Sequence, residues 1–284
     1  MDQKKINNSI IIIDKPCGQV CHEITSCVKK IVGASRSGHA GTLDPNVSGV
    51  LPIALGKATK LLRYIAGKDK TYVGIIKFRK ILKKDQIENL FREFTGEITQ
   101  TPPKISAVRK KPRKRTIYYL KLIEHNGRFA VFETTVDAGT YIRTLCEDIG
   151  KKCGGARMEE LRRIAVGNIT EKQAYTMQEL IDAVWIYKNK NDSSMFEKML
   201  HTPDKFIDLP TVFIKENALE SIMSGAQIMA PAIEKFDENV QKDERVAIYC
   251  KNQFIGIGIA AGSKEELENK KRDLAVKLER VHKT

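Results

Sequence analysis

The chain has 284 residues, of which 42% are hydrophobic and 30% charged, a balance that excludes a disordered chain and is comfortable for two domains. Lysine and arginine exceed aspartate and glutamate by 14. That surplus points to a polyanion, nucleic acid first, with plain solubility or a membrane surface as the blander readings. The apolar run Ile10–Ile13 is too short for a signal core or a membrane span, so a cytoplasmic location is expected and the six cysteines read as thiols.

In chain order, Ser9–Ile13 reads as a strand closed by Asp14-Lys15-Pro16. Residues 23–32 place Ile24, Cys27, Val28 and Ile31 at helical spacing, and Gly33 ends the helix. Then comes Gly38-His39-Ala40-Gly41-Thr42-Leu43-Asp44-Pro45, running into Gly49-Val50-Leu51-Pro52. Pro45 biases Asp44 toward an extended or turn conformation. Such a carboxylate can be a nucleophile, a metal ligand or a turn residue, and the last is the commonest identity of Asp-Pro. Val50–Leu55 is a short buried strand or a helix start, 57–65 a short helix, and 70–78 a strand with Tyr72 near its start. Asp85 is a candidate cap for a helix bearing Ile87, Leu90, Phe91 and Phe94, stopped at Gly96. After Pro102-Pro103, the basic stretch Lys104–Arg115, with Arg109, Lys110, Lys111, Arg113 and Lys114, reads as a loop that is either solvated or in contact with an RNA backbone.

Residues 117–124 and 129–136 form a hairpin around Asn126-Gly127. Thr140 is a candidate cap for a helix with Tyr141 and Arg143 in its first turn, ended by Gly154-Gly155. Leu161-Arg162-Arg163 is extended, Thr176 and Glu179 make a capping box, and 189–194 is a loop. A domain boundary is expected near Leu209-Pro210, separating 1–209 from a small, mostly β module at 210–284. That module reads as strands at 212–214, 246–250, 254–260 and 274–281, helices at 216–223 and 265–271, and a turn at Ser224-Gly225.

Asp44, Tyr72, Tyr141 and Arg143 are the candidate chemical groups, each weak alone. An arginine in a first helical turn opposes the helix dipole and calls for a partner. A pair with Asp44 would supply one, keeping the carboxylate ionised and oriented. No carboxylate cluster or histidine pair stands at metal-ligand spacing, so no metal is expected.

The Asp44 block resembles the signature of the TruB/dyskerin pseudouridine synthases. Asp14-Lys15-Pro16, Lys70-Thr71-Tyr72-Val73, Gly139-Thr140-Tyr141-Ile142-Arg143 and Glu160-Leu161-Arg162-Arg163 match the family's other blocks in order. Phe94–Ile98, Gln100–Pro103 and Ser106-Ala107-Val108, running directly into Arg113–Tyr119, are closer to the archaeal dyskerin type than to the bacterial enzymes, which carry a longer insertion there. The C-terminal part, with Ser224-Gly225-Ala226 and Pro231-Ala232-Ile233, resembles an archaeal PUA module, and the charged tail of the eukaryotic form is absent.

The resemblance implies an α+β fold: a mixed, mainly antiparallel sheet in a catalytic domain with flanking helices, plus a mostly-β PUA domain. It implies isomerisation of uridine to pseudouridine in rRNA or tRNA, with no metal or organic cofactor. Asp44 would be the nucleophile, Arg143 its partner, and Tyr72 the aromatic that stacks on the flipped base and assists proton removal from C5. Leu161 would wall the site and Tyr141 pack beside the substrate. His39 would fill space near the vacated base or be a hydrogen-bonded loop residue, and Lys15 would be structural or a phosphate contact. Gly225 and Ala226 would let an RNA 3′ trinucleotide approach, or simply end a helix. Implied partners are a guide RNA of the H/ACA class and small accessory proteins. A stand-alone enzyme acting on the tRNA T-loop and a non-catalytic RNA-binding scaffold are the alternatives. Three features depart from the family: Ala40 where a hydroxyl is usual, Cys21 where serine is common, and little chain before Asn8 to pack on the PUA module.

Overall fold

The computed structural model describes residues 2–103, 109–268 and 273–282. Lys104, Ser106-Ala107-Val108 and Lys271 lie outside the described residues. The chain forms two compact units: Ser9–His201, and Asp2–Asn8 together with the chain from Thr202 onward. The short segment before Asn8 is therefore part of the second unit. There α1 (Gln3–Ile6) is capped by the Asp2 carboxylate, which accepts from the Lys4 amide at 2.8 Å.

The first unit contains β1 (Ile10–Lys15), α2 (Cys21–Val32), β2 (Ser37–His39), β3 (Ser48–Leu55), α3 (Leu62–Ala66) after a 3-10 turn, β4 (Lys70–Phe78) and α4 (Lys84–Glu93). It continues through β5 (Gly96–Gln100), β6 (Arg113–Asn126), β7 (Phe129–Val136), α5 (Ile142–Cys153), β8 (Ala156–Val166), β9 (Ile169–Thr170), α6 (Met177–Lys190) and α7 (Ser194–Met199). The strands make one sheet in the order β1-β3-β8-β4-β7-β6-β5, with β2 on β3 and β9 on β8. Within it β3 and β8 run parallel at Ser48↔Arg162 and Gly49↔Arg163, whereas β4 is antiparallel to both its neighbours. This is the mixed, mainly antiparallel sheet with helices that was expected.

β3 is buried from Gly49 to Leu55 because β1, β2 and β8 pair along it, which is why its sequence is a continuous apolar run without alternation. β4 alternates strictly, burying Lys70, Tyr72, Gly74, Ile76 and Phe78. Gly74 is glycine for want of room: a Cβ there would lie 2.6 Å from Phe132 Cζ and 2.8 Å from Leu161 Cδ1.

Several expectations are corrected. The basic stretch is not all loop, since Arg113 and Lys114 begin β6 and pair with β5 (Gln100↔Arg113, Thr99↔Lys114). β5 itself has too little pattern to announce a strand and exists because β6 pairs with it. Asp85 does not cap α4. Lys83 holds that position, its amide donating to Gln86 Oε1 at 2.8 Å, and Asp85 lies in the first turn. Thr140 does not cap α5 either; Tyr141 is the N-cap residue and makes no side-chain cap. Within 189–194, α6 runs on to Lys190 and α7 starts at Ser194.

The second unit adds β10 (Thr211–Ile214), α8 (Leu219–Met223), β11 (Ile228–Met229), β12 (Ile233–Phe236), β13 (Arg245–Cys250), β14 (Gln253–Ala260), α9 (Lys264–Glu268) and β15 (Leu274–Val281). Its sheet order is β11-β15-β14-β13-β10-β12, around a core that includes Val212, Ile214, Ile248, Ile255 and Val276.

Candidate active site

The loop from β2 to β3 carries Asp44 and is tied down at nearly every residue. The Ala40 amide donates to Pro52 O at 2.9 Å, the Val47 amide to Asp44 O at 3.0 Å, and the Gly18 amide to Pro45 O at 2.9 Å. Cys21, at the start of α2, brackets the residue before Asp44: its thiol donates to Leu43 O at 3.3 Å and its sulfur accepts from the Leu43 amide at 3.2 Å. The thiol thus performs a hydroxyl's task. Ala40 is fully buried, so the loop relies on backbone and on neighbouring side chains for its anchorage and not on a hydroxyl at position 40.

Lys15 is fully buried on β1, with Nζ donating to Pro16 O at 2.7 Å and Pro45 O at 2.9 Å. Burial lowers its pKa. The ammonium is aimed at these two backbone carbonyls, which ties β1 to the Asp44 loop. His39 ends β2 with both ring nitrogens near hydroxyls, Nδ1 at 3.2 Å from Thr25 Oγ1 and Nε2 at 3.3 Å from Thr42 Oγ1. Desolvation lowers its pKa, with Arg163 and His22 adding to the shift, which favours the neutral ring.

Across from the loop, α5 presents Arg143, whose Nη2 donates to Asp44 Oδ2 at 2.7 Å. The two side chains remain about half exposed, at 47% and 54%, so the pair faces solvent. The start of α5 is aimed by Gln100 at the end of β5. Its buried amide group accepts from the Tyr141 amide at 3.0 Å and donates to Tyr141 O at 3.1 Å. Tyr141 is half-buried beside Arg143.

The floor of the site is β4 and β8. Tyr72 is paired with Arg163 and Gly74 with Leu161, and Tyr72, Leu161 and Arg163 are all buried. Burial raises the Tyr72 phenol above its ordinary value; Arg163, opposite it across β4 and β8, pulls the other way, and the Asp44 charge raises it further. Those influences place Asp44, Tyr72 and Arg163 in one electrostatic neighbourhood. Lys70, on the same face of β4, is buried with Nζ donating to Ala66 O at 2.6 Å and to Lys68 O. Desolvation, helped by Arg163, lowers its pKa to about 8.

Sequence reasoning missed four supporting groups: Arg163, Lys70, Gln100 and Cys21 as a loop anchor. For Arg163 a signal existed, since it stands two residues after Leu161 and shares its buried face. Neighbouring Arg162 points the other way, donating to Asp14 at 2.9 and 3.0 Å and to Glu171 at 3.0 Å. Among the described residues no group of three or more His, Cys, Asp and Glu could hold a metal, and no helix is long and apolar enough to cross a membrane.

The remaining expected contacts lie apart from this cluster in sequence. Arg109, Lys110, Lys111, Arg113 and Lys114 are exposed, and Lys114 pairs with Glu97 at 2.9 Å. Gly225 and Ala226 are exposed at the end of α8. Their amides donate back to Ile222 O and Ser221 O, and Gly225 has φ +106°.

Family comparison identifies the chain. The model of the TruB family pseudouridylate synthase N-terminal domain matches residues 29–84 and 79–142, and that of the tRNA pseudouridylate synthase B C-terminal domain matches 143–207. The chain is a TruB-family pseudouridine synthase. A PUA domain model matches 210–282 of this synthase. It is 42% identical over 282 residues to "Probable tRNA pseudouridine synthase B" of Pyrobaculum aerophilum, covering 98% of this chain and 85% of that one. Among solved structures it resembles a Cbf5-Nop10-Gar1 complex chain, with TM-score 0.92, 36% identity and coverage of 99% and 87%. It also resembles a chain of an H/ACA RNP bound to a substrate RNA containing 2′-deoxyuridine, with TM-score 0.91, 35% identity and coverage of 98% and 86%. The synthase is an RNA isomerase with the α+β fold and PUA domain expected from its motifs.

Proposed function

We propose that this synthase is the catalytic subunit of a guide-RNA-dependent H/ACA ribonucleoprotein. In this reading residues 1–209 carry the chemistry and 210–284 hold RNA, and a guide RNA and small accessory proteins complete the particle. The observation that carries the guided form is likeness along nearly the whole chain to a chain of a Cbf5-Nop10-Gar1 complex and to a chain of an H/ACA RNP bound to a substrate RNA. The name tRNA pseudouridine synthase B borne by curated relatives favours a second reading, a stand-alone tRNA enzyme.

In either form the chemistry runs through Asp44. A uracil within a stack cannot reach a loop carboxylate, so it is flipped out at a cost of a few kcal/mol. Asp44, paired with and aimed by Arg143, attacks C1′ of the ribose or C6 of the ring. The N1–C1′ bond breaks, the base turns, the C5–C1′ bond forms, the Asp44 carboxylate is released from C1′ or C6, and the C5 proton leaves while N1 gains one. Tyr72 and Leu161 wall the base. The raised pKa of Tyr72 keeps it a neutral phenol, suited to stacking and hydrogen bonding more than to deprotonating C5 as a phenolate. Tyr141 borders the site, His39 stands near the vacated base as a neutral, hydroxyl-bonded ring, and Arg109–Lys111, Arg113, Gly225 and Ala226 meet RNA.

Pseudouridine formation on tRNA by the purified chain, with and without guide RNA, tests the first reading. Efficient unaided modification overturns guide dependence. Asp44→Asn is expected to abolish turnover with RNA affinity within a few fold of wild type, and residual turnover near wild type would rule out the nucleophile assignment.

A further inference from the structure

Arg163 is 1% exposed, and its side chain holds two backbone carbonyls. Nε donates to Val50 O at 2.9 Å and Nη2 donates to Gly41 O at 2.9 Å, while across the β4–β8 pairing Arg163 stands opposite the buried Tyr72, near enough for its charge to act on the phenol. Gly41 and Val50 lie on either side of Asp44. The loop glycines fit this embrace: a Cβ at Gly41 would stand 3.2 Å from Arg163 Nη1, and one at Gly49 only 2.1 Å from Arg163 O. We infer that Arg163 is a positioning residue, fixing the backbone on both sides of Asp44 opposite Tyr72 so that nucleophile loop and aromatic wall are held as one body.

Its charge state separates this role from ordinary packing. Arg162, exposed to solvent by about a third, is matched by two carboxylates, whereas no carboxylate of the described residues pairs with the far more buried Arg163. A buried, unpaired cation is costly, and a neutral amide could hold a carbonyl at lower cost. What a neutral group lacks is the rigid planar fork that serves both carbonyls at once. The positive charge also acts on what it touches, lowering the pKa of Lys70 and His39 and opposing the upward push of burial on Tyr72.

The inference rests on the reading that Asp44 and Tyr72 act on the uridine. It is tested on the full chain, with substrate RNA and any guide and accessory proteins found to be required, by single-turnover rate and RNA affinity. Arg163→Lys keeps the charge and loses the fork, so its rate is expected to fall at least tenfold with affinity within twofold. Arg163→Met falls further. The decisive comparison is Tyr72→Phe, Arg163→Lys and the pair combined. The double variant is expected to be at least fivefold faster than the product of the single losses predicts, because the two residues act as one unit. Losses that multiply within twofold, or affinity that falls in step with rate, overturn the inference. Where a variant at 163 does not fold, Tyr72→Phe carries the test alone: amide exchange at Leu43 and Val47 speeds at least threefold if wall and loop are joined, and unchanged exchange overturns it. Asp44→Asn in parallel tells the two failures apart. Near-wild-type turnover there removes the site reading itself, while abolished turnover with multiplicative losses removes only the role of Arg163.

Discussion

Cys21 shows how a thiol can do a hydroxyl's job. Its sulfur is both donor and acceptor for the Leu43 peptide, one residue before Asp44. Cys21→Ala orphans a buried N–H and C=O and is expected to cost about 1–3 kcal/mol of stability. Cys21→Ser, which can remake both bonds, is expected to cost less than half as much. Denaturant unfolding of the two variants checks this, and equal losses would mean that the thiol only fills space. Lys70 makes a prediction in pH. Its folded pKa of about 8 lies below the ordinary 10.5, so between those values the unfolded chain holds a proton that the folded chain has released. Stability from this residue therefore rises with pH across that window, and the cost of the buried charge is felt in full below it. The unfolding midpoint of wild type relative to Lys70→Met is expected to climb from pH 8 to 10; a flat difference would show that Lys70 titrates normally.

At the scale of elements, the site depends on the short parallel join between β3 and β8. Gly49 has φ +106° and no room for a Cβ against Arg163 O. Gly49→Ala is expected to destabilise the first unit by at least about 2 kcal/mol through backbone strain and overpacking together, read as a lower unfolding midpoint or loss of soluble protein. Val50–Leu55 is apolar whether it is a strand or the start of a helix, and pairing with β1, from Ile10↔Ala54 to Lys15↔Gly49, and with β2 makes it a strand. The hairpin at Asn126-Gly127 and the α6 capping box could be read directly because both are local devices, made by residues within a turn of each other. β5 could not, since its strand character comes from residues 113–117.

For the whole molecule, the surplus of 14 positive charges predicts RNA affinity that falls with salt. Arg109, Lys110, Lys111 and Arg113 are exposed, while Lys114 is partly spent on Glu97. If each of those four meets one phosphate, at ~0.7 per contact for a single strand, neutralising all four is expected to flatten the log–log salt dependence by about 3. An unchanged slope would assign the stretch to solvent.

The sequence by itself determined the family, the order of its blocks, the charge that suits RNA and the candidates Asp44, Tyr72 and Arg143, because motifs and composition are written along the chain. Tertiary structure alone decided that Arg143 reaches Asp44 across 99 positions, that Lys15 is buried under the loop and that Arg163 holds the backbone at Gly41 and Val50. Those contacts arise where β1, β3, β4 and β8 lie side by side, and strand order is set by burial and pairing among segments far apart in sequence, which no local pattern records.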